Sequence, residues 1–293
     1  MPKLKVLFLY PNLMLQTGFP MAICTFSAIL KQEGFDVELF DTTFYRTEET
    51  TSDEARMANL QVKPFDLGEK FRDLKDKKQM FKDLVEKVRQ YKPHLIAISI
   101  LEDVFPLAVE LLRAIEHFNI PVIAVGVFPT FAPEIVISEK AVTMVCIGEG
   151  EEVFIELCRK LSDNEDISRV HNLWVKQHGE IVRNPIRPLR NINLNPLPDF
   201  SIFHSDRFLK PMKGKLHKMA PVETHRGCPY SCSFCNSGSQ KELYKSGTGE
   251  KFLRLKEVGR IHDEIKILIE KYGVEYIYFP ADTFLAMSRG YLH

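Results

Sequence analysis

The 293-residue sequence has no apolar run long enough to cross a bilayer, which takes about 20 consecutive apolar residues in a helix. Its basic opening, Met1-Pro-Lys-Leu-Lys, is followed only by the short apolar stretch Val6 to Tyr10, too little for a signal peptide. Charge of one sign is also missing: 39 Lys+Arg balance 39 Asp+Glu, which argues against a broad basic footprint for nucleic acid. There is no internal repeat and no low-complexity tract. Charged residues at 27% and hydrophobic residues at 45% exclude a disordered chain and supply a sizeable core. A cytoplasmic location is the default expectation, and six cysteines in such a chain are not a disulfide framework.

What is present alternates. Lys5-Val-Leu-Phe-Leu-Tyr10 reads as a buried strand, Pro20 to Gly34 as a helix and Asp36 to Asp41 as a second strand. Further strands are predicted at His94 to Ile100, Ile120 to Gly126 and Val142 to Gly148, with helices from Val104 to Phe118 and Glu151 to Leu161. The charge-rich segment 47–92 reads as a helical insertion whose last helix packs on the sheet. The expected fold is α/β: residues 1–162 form a doubly wound, five-stranded parallel sheet of flavodoxin type. Residues 163–215 read as a β-hairpin around His178-Gly179 and a Pro-rich linker, and a second unit starts at 216.

Three cysteines sit in scattered apolar segments; the other three lie together in Glu223-Thr-His-Arg-Gly-Cys228-Pro-Tyr-Ser-Cys232-Ser-Phe-Cys235-Asn236. Closely spaced thiolates on one loop suit a soft metal centre. Four would close a 4Fe–4S cluster; three leave one iron open to a small molecule. Gly227 eases a tight loop, and Arg226 offers positive charge that favours thiolates. The alternative is a zinc site completed by His225, although no second cysteine pair exists.

The C-x3-C-x2-C pattern of Cys228, Cys232 and Cys235 resembles the radical S-adenosylmethionine (SAM) superfamily. The resemblance implies that SAM chelates the fourth iron through its amino and carboxylate groups, and that an electron from the cluster cleaves it to a 5′-deoxyadenosyl radical. It places Phe234 beside the adenine. Downstream, a helical pattern over Glu250 to Lys271 leads to a strand at Tyr276 to Pro280, ending in Ala281-Asp282. The family often has two acidic residues there; only Asp282 remains, to orient SAM or substrate, or as an ordinary surface or capping Asp.

The N-terminal order of segments resembles the cobalamin-binding domain that precedes many radical SAM domains, and Leu197-Pro198-Asp199-Phe200 resembles the usual start of the radical SAM half. The resemblance assigns cobalamin contacts to Asn12, Thr17, Gly18, Ser99, Leu101, Glu102, Gly126, Phe128, Pro129, Gly148, Glu149 and Gly150, on loops that leave the carboxyl edge of the sheet. The Asp-x-His-x-x-Gly string of mutases and methionine synthase is missing, so the expected cobalamin has no His ligand from the protein.

The implied activity is a cobalamin-dependent radical SAM reaction, a C-methylation or cyclisation, on a small-molecule substrate with an electron donor such as flavodoxin or ferredoxin. Two other classes stay open: a ligand- or redox-sensing Fe–S module without SAM cleavage, and an electron-transfer protein. The 66 residues from Cys228 to the end suffice for about two barrel units at about 30 residues each, so a missing C-terminal barrel segment is expected.

Overall fold

A computed structural model describes residues 3–63, 65–68, 71 and 73–284. Strand β1 (Lys5–Tyr10) is followed by helix α1 (Met21–Gln32) and strand β2 (Asp36–Asp41). In β1, Val6 and Phe8 face one core while Leu7 and Leu9 face the other, all four fully buried. That two-sided burial is what a near-continuous apolar run encodes in a parallel sheet. The insertion contains the two-residue strands β3 (Tyr45–Arg46) and β4 (Lys75–Asp76), which pair in parallel, and helix α2 (Ser52–Ala58), closed by a Thr51/Glu54 capping box. Helix α3 (Lys77–Tyr91) lays Met80, Leu84 and Val88 on the sheet, as its spacing predicts.

The parallel sheet continues through β5 (Leu95–Ser99), β6 (Val122–Val125) and β7 (Met144–Cys146). Helix α4 (Phe105–Ile115) joins the first two; short helices α5 (Val127–Phe131) and α6 (Pro133–Ser138), too short to show a helical periodicity, join the next. Helix α7 (Glu151–Ser162) follows β7. The five parallel strands lie in the order β2-β1-β5-β6-β7, the flavodoxin order 2-1-3-4-5.

The hairpin forms where expected, as β8 (Leu173–Gln177) and β9 (Glu180–Arg183), but it is not part of a linker. It pairs antiparallel with β7 and extends the sheet to seven strands. This covers the β7 edge, which would otherwise stand as an open row of amide groups. The sheet therefore reaches past residue 162, and the Pro-rich connection begins after Arg183.

Residues 184–208 run back across the N-terminal unit. Asp199 ties them to α1: it accepts from Ser27 Oγ at 2.7 Å and Lys31 Nζ at 2.5 Å. Phe200, Phe203 and Phe208 surround Phe19, with ring centroids 5.1, 5.6 and 4.7 Å away. Arg207, fully buried, binds Asp41 at 2.6 Å, the Thr43 hydroxyl and the Gly18 carbonyl.

The second unit opens with β10 (Leu209–Met212) antiparallel to β11 (Lys215–Pro221). After β12 (His225–Arg226) come helix α8 (Asn236–Thr248), strand β13 (Arg254–Leu255), helix α9 (Val258–Tyr272) and strand β14 (Tyr276–Tyr278). Strand β14 lies parallel to β11, so the two are the first strands of a β/α arrangement. The pattern read as one helix over Glu250 to Lys271 starts only at Val258, because Arg254-Leu255 pairs with His225-Arg226. Ala220, Val222, Leu268 and Val274 belong to the same buried cluster as Phe8 and Phe154, so one apolar core joins the two units.

Candidate functional site

The thiol triplet sits on the loop between β12 and α8. Gly227 turns the chain at φ +90°, and a Cβ there would stand 2.8 Å from the Phe252 ring, so only glycine fits. Cys228 is buried, with its Sγ 2.9 Å from Thr283 Oγ1. Cys232 and Cys235 are exposed and joined by a turn, Cys235 N to Cys232 O at 3.1 Å. Cys235 is the N-cap of α8. Phe234 is 92% exposed. Asp282, exposed, accepts from Ser237 Oγ in the first turn of α8 at 2.6 Å.

Among the described residues, no three His, Cys, Asp or Glu side chains stand close enough to hold one metal ion. The triplet therefore does not converge here, and His225 does not complete it: its Nδ1 lies 3.0 Å from Thr224 Oγ1. The donor chemistry nonetheless fits a 4Fe–4S cluster. Three soft thiols share one loop, and the other cysteines are sealed in the N-terminal core, where burial pushes Cys146 up to about 12 and raises Cys24 and Cys158 further. Beside the loop, the buried His225 Nε2 has no hydrogen-bond partner, as expected where an occupant belongs.

Arg226 does not supply free positive charge to the thiols. Its guanidinium is committed to Glu151, to Glu223 at 3.0 Å and to Glu149 at 3.5 Å, and Arg254 binds Glu149 as well. Burial works against the Glu151 carboxylate, but Arg226 beside it holds it below the usual range. Burial and the Glu151 charge push Glu149 up. Two further pairs, Arg190 with Glu152 and Arg187 with Glu156 at 2.6 Å, extend the seam along α7. The cysteine loop is thus bolted to the end of β7 and the start of α7.

This changes the reading of the glycines. Gly148, at φ +79°, makes room for Tyr244 of α8: a Cβ would stand 3.0 Å from Tyr244 Cζ and closer still to the hydroxyl. That hydroxyl accepts from Glu149 N at 2.6 Å. Gly150 yields to Phe26, with a Cβ 2.9 Å from its ring. Gly126, at φ +117°, yields to the Ile100 carbonyl at 2.7 Å. All three spaces are filled by the chain itself, and Glu149 is spent on Arg254.

The other residues assigned to cobalamin divide in two. Asn12 holds its own loop, donating to Thr43 Oγ1 at 2.7 Å and Gln16 O at 2.6 Å. Thr17 holds the second unit through Lys210 (3.0 Å to Thr17 O), and Gly18 holds the connection before it through Arg207. Pro129 is buried in α5. Ser99, Leu101, Glu102 and Phe128 stay at the carboxyl edge of the sheet. Leu101, two residues after β5, is 50% exposed, and Val127, which opens α5 just after the neighbouring β6, is exposed as well. Thr130, to which the sequence reading gave no role of its own, ties two of these loops, donating to Gly126 O at 2.8 Å and accepting from Gly148 N at 3.0 Å.

Residues 14–158 match the B12 binding domain family. An uncharacterised methyltransferase of Pyrococcus horikoshii is 30% identical over 210 residues, 70% of this chain and 43% of that protein. The anaerobic magnesium-protoporphyrin IX monomethyl ester cyclase of Cereibacter sphaeroides is 27% identical over 198 residues, 65% of this chain and 30% of that one. The fold matches the radical SAM methyltransferase TsrM of Kitasatospora setae, solved with cobalamin and a [4Fe-4S] cluster. The TM-score is 0.67 at 19% identity, over 98% of this chain and 50% of the other. The chain thus spans half or less of the length of these relatives. No helix among the described residues is long and apolar enough to cross a membrane. The chain thus carries a match to the B12 binding domain family over residues 14–158, and its fold is similar to that of a radical SAM methyltransferase, with the cysteine triplet on a loop that follows the matched domain.

Proposed function

We propose that this chain supplies the cofactor-binding half of a cobalamin-dependent radical SAM enzyme. The observation that carries the reading is a set of three thiols, with no fourth nearby, on a loop fastened to the strand-end edge of the B12-binding domain. When bound, a 4Fe–4S cluster supplies the electron that cleaves SAM to a 5′-deoxyadenosyl radical, and cobalamin supplies a methyl carrier or a partner in cyclisation.

The chain's own part is positional. Cys228, Cys232 and Cys235 hold the cluster and leave one iron for SAM. Gathering them requires loop 229–234 to close over the metal; Cys232 and Cys235 are exposed, and Lys241 of α8 holds the start of the loop at the Pro229 and Tyr230 carbonyls (3.4 Å each). Phe234, unpacked in this structure, has its ring available to lie on adenine, and Asp282 presents a carboxylate at the end of β14. The exposed apolar edge at Leu101 and Val127, with Ser99, Glu102 and Phe128, receives a flat ring. Asn12, Thr17, Gly18, Gly126, Pro129, Gly148, Glu149 and Gly150 shape and brace that edge.

Anaerobic reconstitution tests the reading. Iron and sulfide analysis should find about four of each per chain. Added hydroxocobalamin should be retained through gel filtration, and reduced protein with SAM should release 5′-deoxyadenosine. A colourless protein holding stoichiometric zinc contradicts the cluster. A cluster without SAM cleavage in a chain carrying the rest of the barrel favours a redox-sensing module.

A further inference from the structure

The tail of β14 grips both ends of the cysteine loop. Asp282 reaches forward to Ser237 in the first turn of α8 (2.6 Å), and Thr283 reaches back to Cys228, with its Oγ1 2.9 Å from the sulfur. The tail is itself held in shape: Ala281 N donates to Phe279 O at 2.8 Å, and the Phe279 and Phe284 rings stack at 5.2 Å. Cys228 is the one buried thiol of the triplet, at 9% exposure. Its bond to Thr283 is therefore shielded from competing water, unlike any contact to Cys232 or Cys235.

In a free thiol either atom can donate. A metal-bound cysteine is a thiolate and only accepts, so there the Thr283 O–H must be the donor. A donor aimed at a cluster sulfur stabilises the more negative, reduced state and raises the reduction potential. Resting on the cluster reading above, we propose that Thr283 is a positioning residue for the cluster. It fixes the Cys228 side chain and, through its hydroxyl, sets the potential at which the cluster takes its electron.

The test is an EPR-monitored redox titration, with dithionite and mediators, of the reconstituted chain. Thr283→Val keeps the shape and deletes the donor; Thr283→Ser keeps the donor. The valine variant should have a lower midpoint, with a tenfold smaller ratio of reduced to oxidised cluster at a fixed potential, equivalent to about 59 mV for one electron. The serine variant should match the wild type. Thr283→Ala, which also lacks the hydroxyl, provides the same comparison if the valine variant takes up no cluster. A midpoint in the hydroxyl-free variants equal to that of the wild type overturns the inference and leaves the cluster assignment standing. A wild-type chain that takes up no cluster overturns both.

Discussion

Adding a single methyl group at Gly148 probes the joint between the two halves of the chain. At φ +79° an alanine costs about 1–2 kcal/mol more than glycine. The added Cβ would also overlap the Tyr244 hydroxyl and stand 3.0 Å from Cζ. Over-packing of that kind costs about 1–3 kcal/mol, so Gly148→Ala should lose roughly 2–5 kcal/mol in all. Tyr244→Phe removes the acceptor of the Glu149 N–H. Leaving that donor unpaired costs about 1–3 kcal/mol. The two effects share an atom. In the double variant the hydroxyl that the new methyl strikes is gone, while the φ strain and the orphaned N–H remain. The double variant should therefore fall short of the sum of the singles by about 1–3 kcal/mol. Urea unfolding of all four proteins measures this, provided m stays constant. Additivity within about 0.5 kcal/mol would refute the placement of Tyr244 over Gly148.

Arg226→Met leaves Glu151, 3% exposed, without its main partner. Breaking a buried pair from one side costs about 3–5 kcal/mol, or roughly 6 to 20 °C in Tm by calorimetry; a change under 2 °C, roughly the effect of 0.5–1 kcal/mol, contradicts the seam. Burial raises Asp199, but hydrogen bonds from Lys31, Ser201 and Ser27 outweigh it and hold the carboxyl low. Its contribution is then full above the unfolded value, about 3.9, and is lost as pH falls through the lower folded value. Asp199→Asn should flatten the acid limb of urea midpoints below about pH 4 and lower the midpoint at pH 7; an unchanged acid limb contradicts this. Leu101→Asp with Val127→Asp places charge on the exposed edge and should weaken hydroxocobalamin retention at least tenfold, roughly 1.4 kcal/mol, without lowering Tm. Unaltered retention moves the corrin elsewhere.

The βαβ rhythm was legible because it is local. Apolar runs such as Lys5–Tyr10 and Leu95–Ser99 mark their own strands, and the helical spacing of Met80, Leu84 and Val88 marks a buried face. The cysteine triplet was legible for the same reason, being a short-range pattern. What the sequence hid is long-range. Nothing near His178 says that its hairpin completes the main sheet through Met144↔Val175 and Cys146↔Leu173. The strand pairing that delays α9 to Val258 depends on residues nearly 30 positions earlier. Gly126, Gly148 and Gly150 announce close approach without naming the atom that approaches, and in each case it belongs to the protein. The balanced net charge concealed a seam of ion pairs from Glu149, Glu151, Glu152 and Glu156 to four arginines of the following half. Helix α8, of weak amphipathicity, gave no periodic signal, yet through Tyr244 it is one of the elements that join the two halves.

The central claim is that three cysteines hold a cluster with one iron open to SAM. EPR of the anaerobically reconstituted, dithionite-reduced chain, recorded with and without SAM, addresses it directly. The account predicts a 4Fe–4S signal whose g-values shift when SAM is added, and loss of that signal in Cys228→Ala, Cys232→Ala and Cys235→Ala. A signal that SAM leaves unmoved, or one that survives removal of any of the three cysteines, would contradict it.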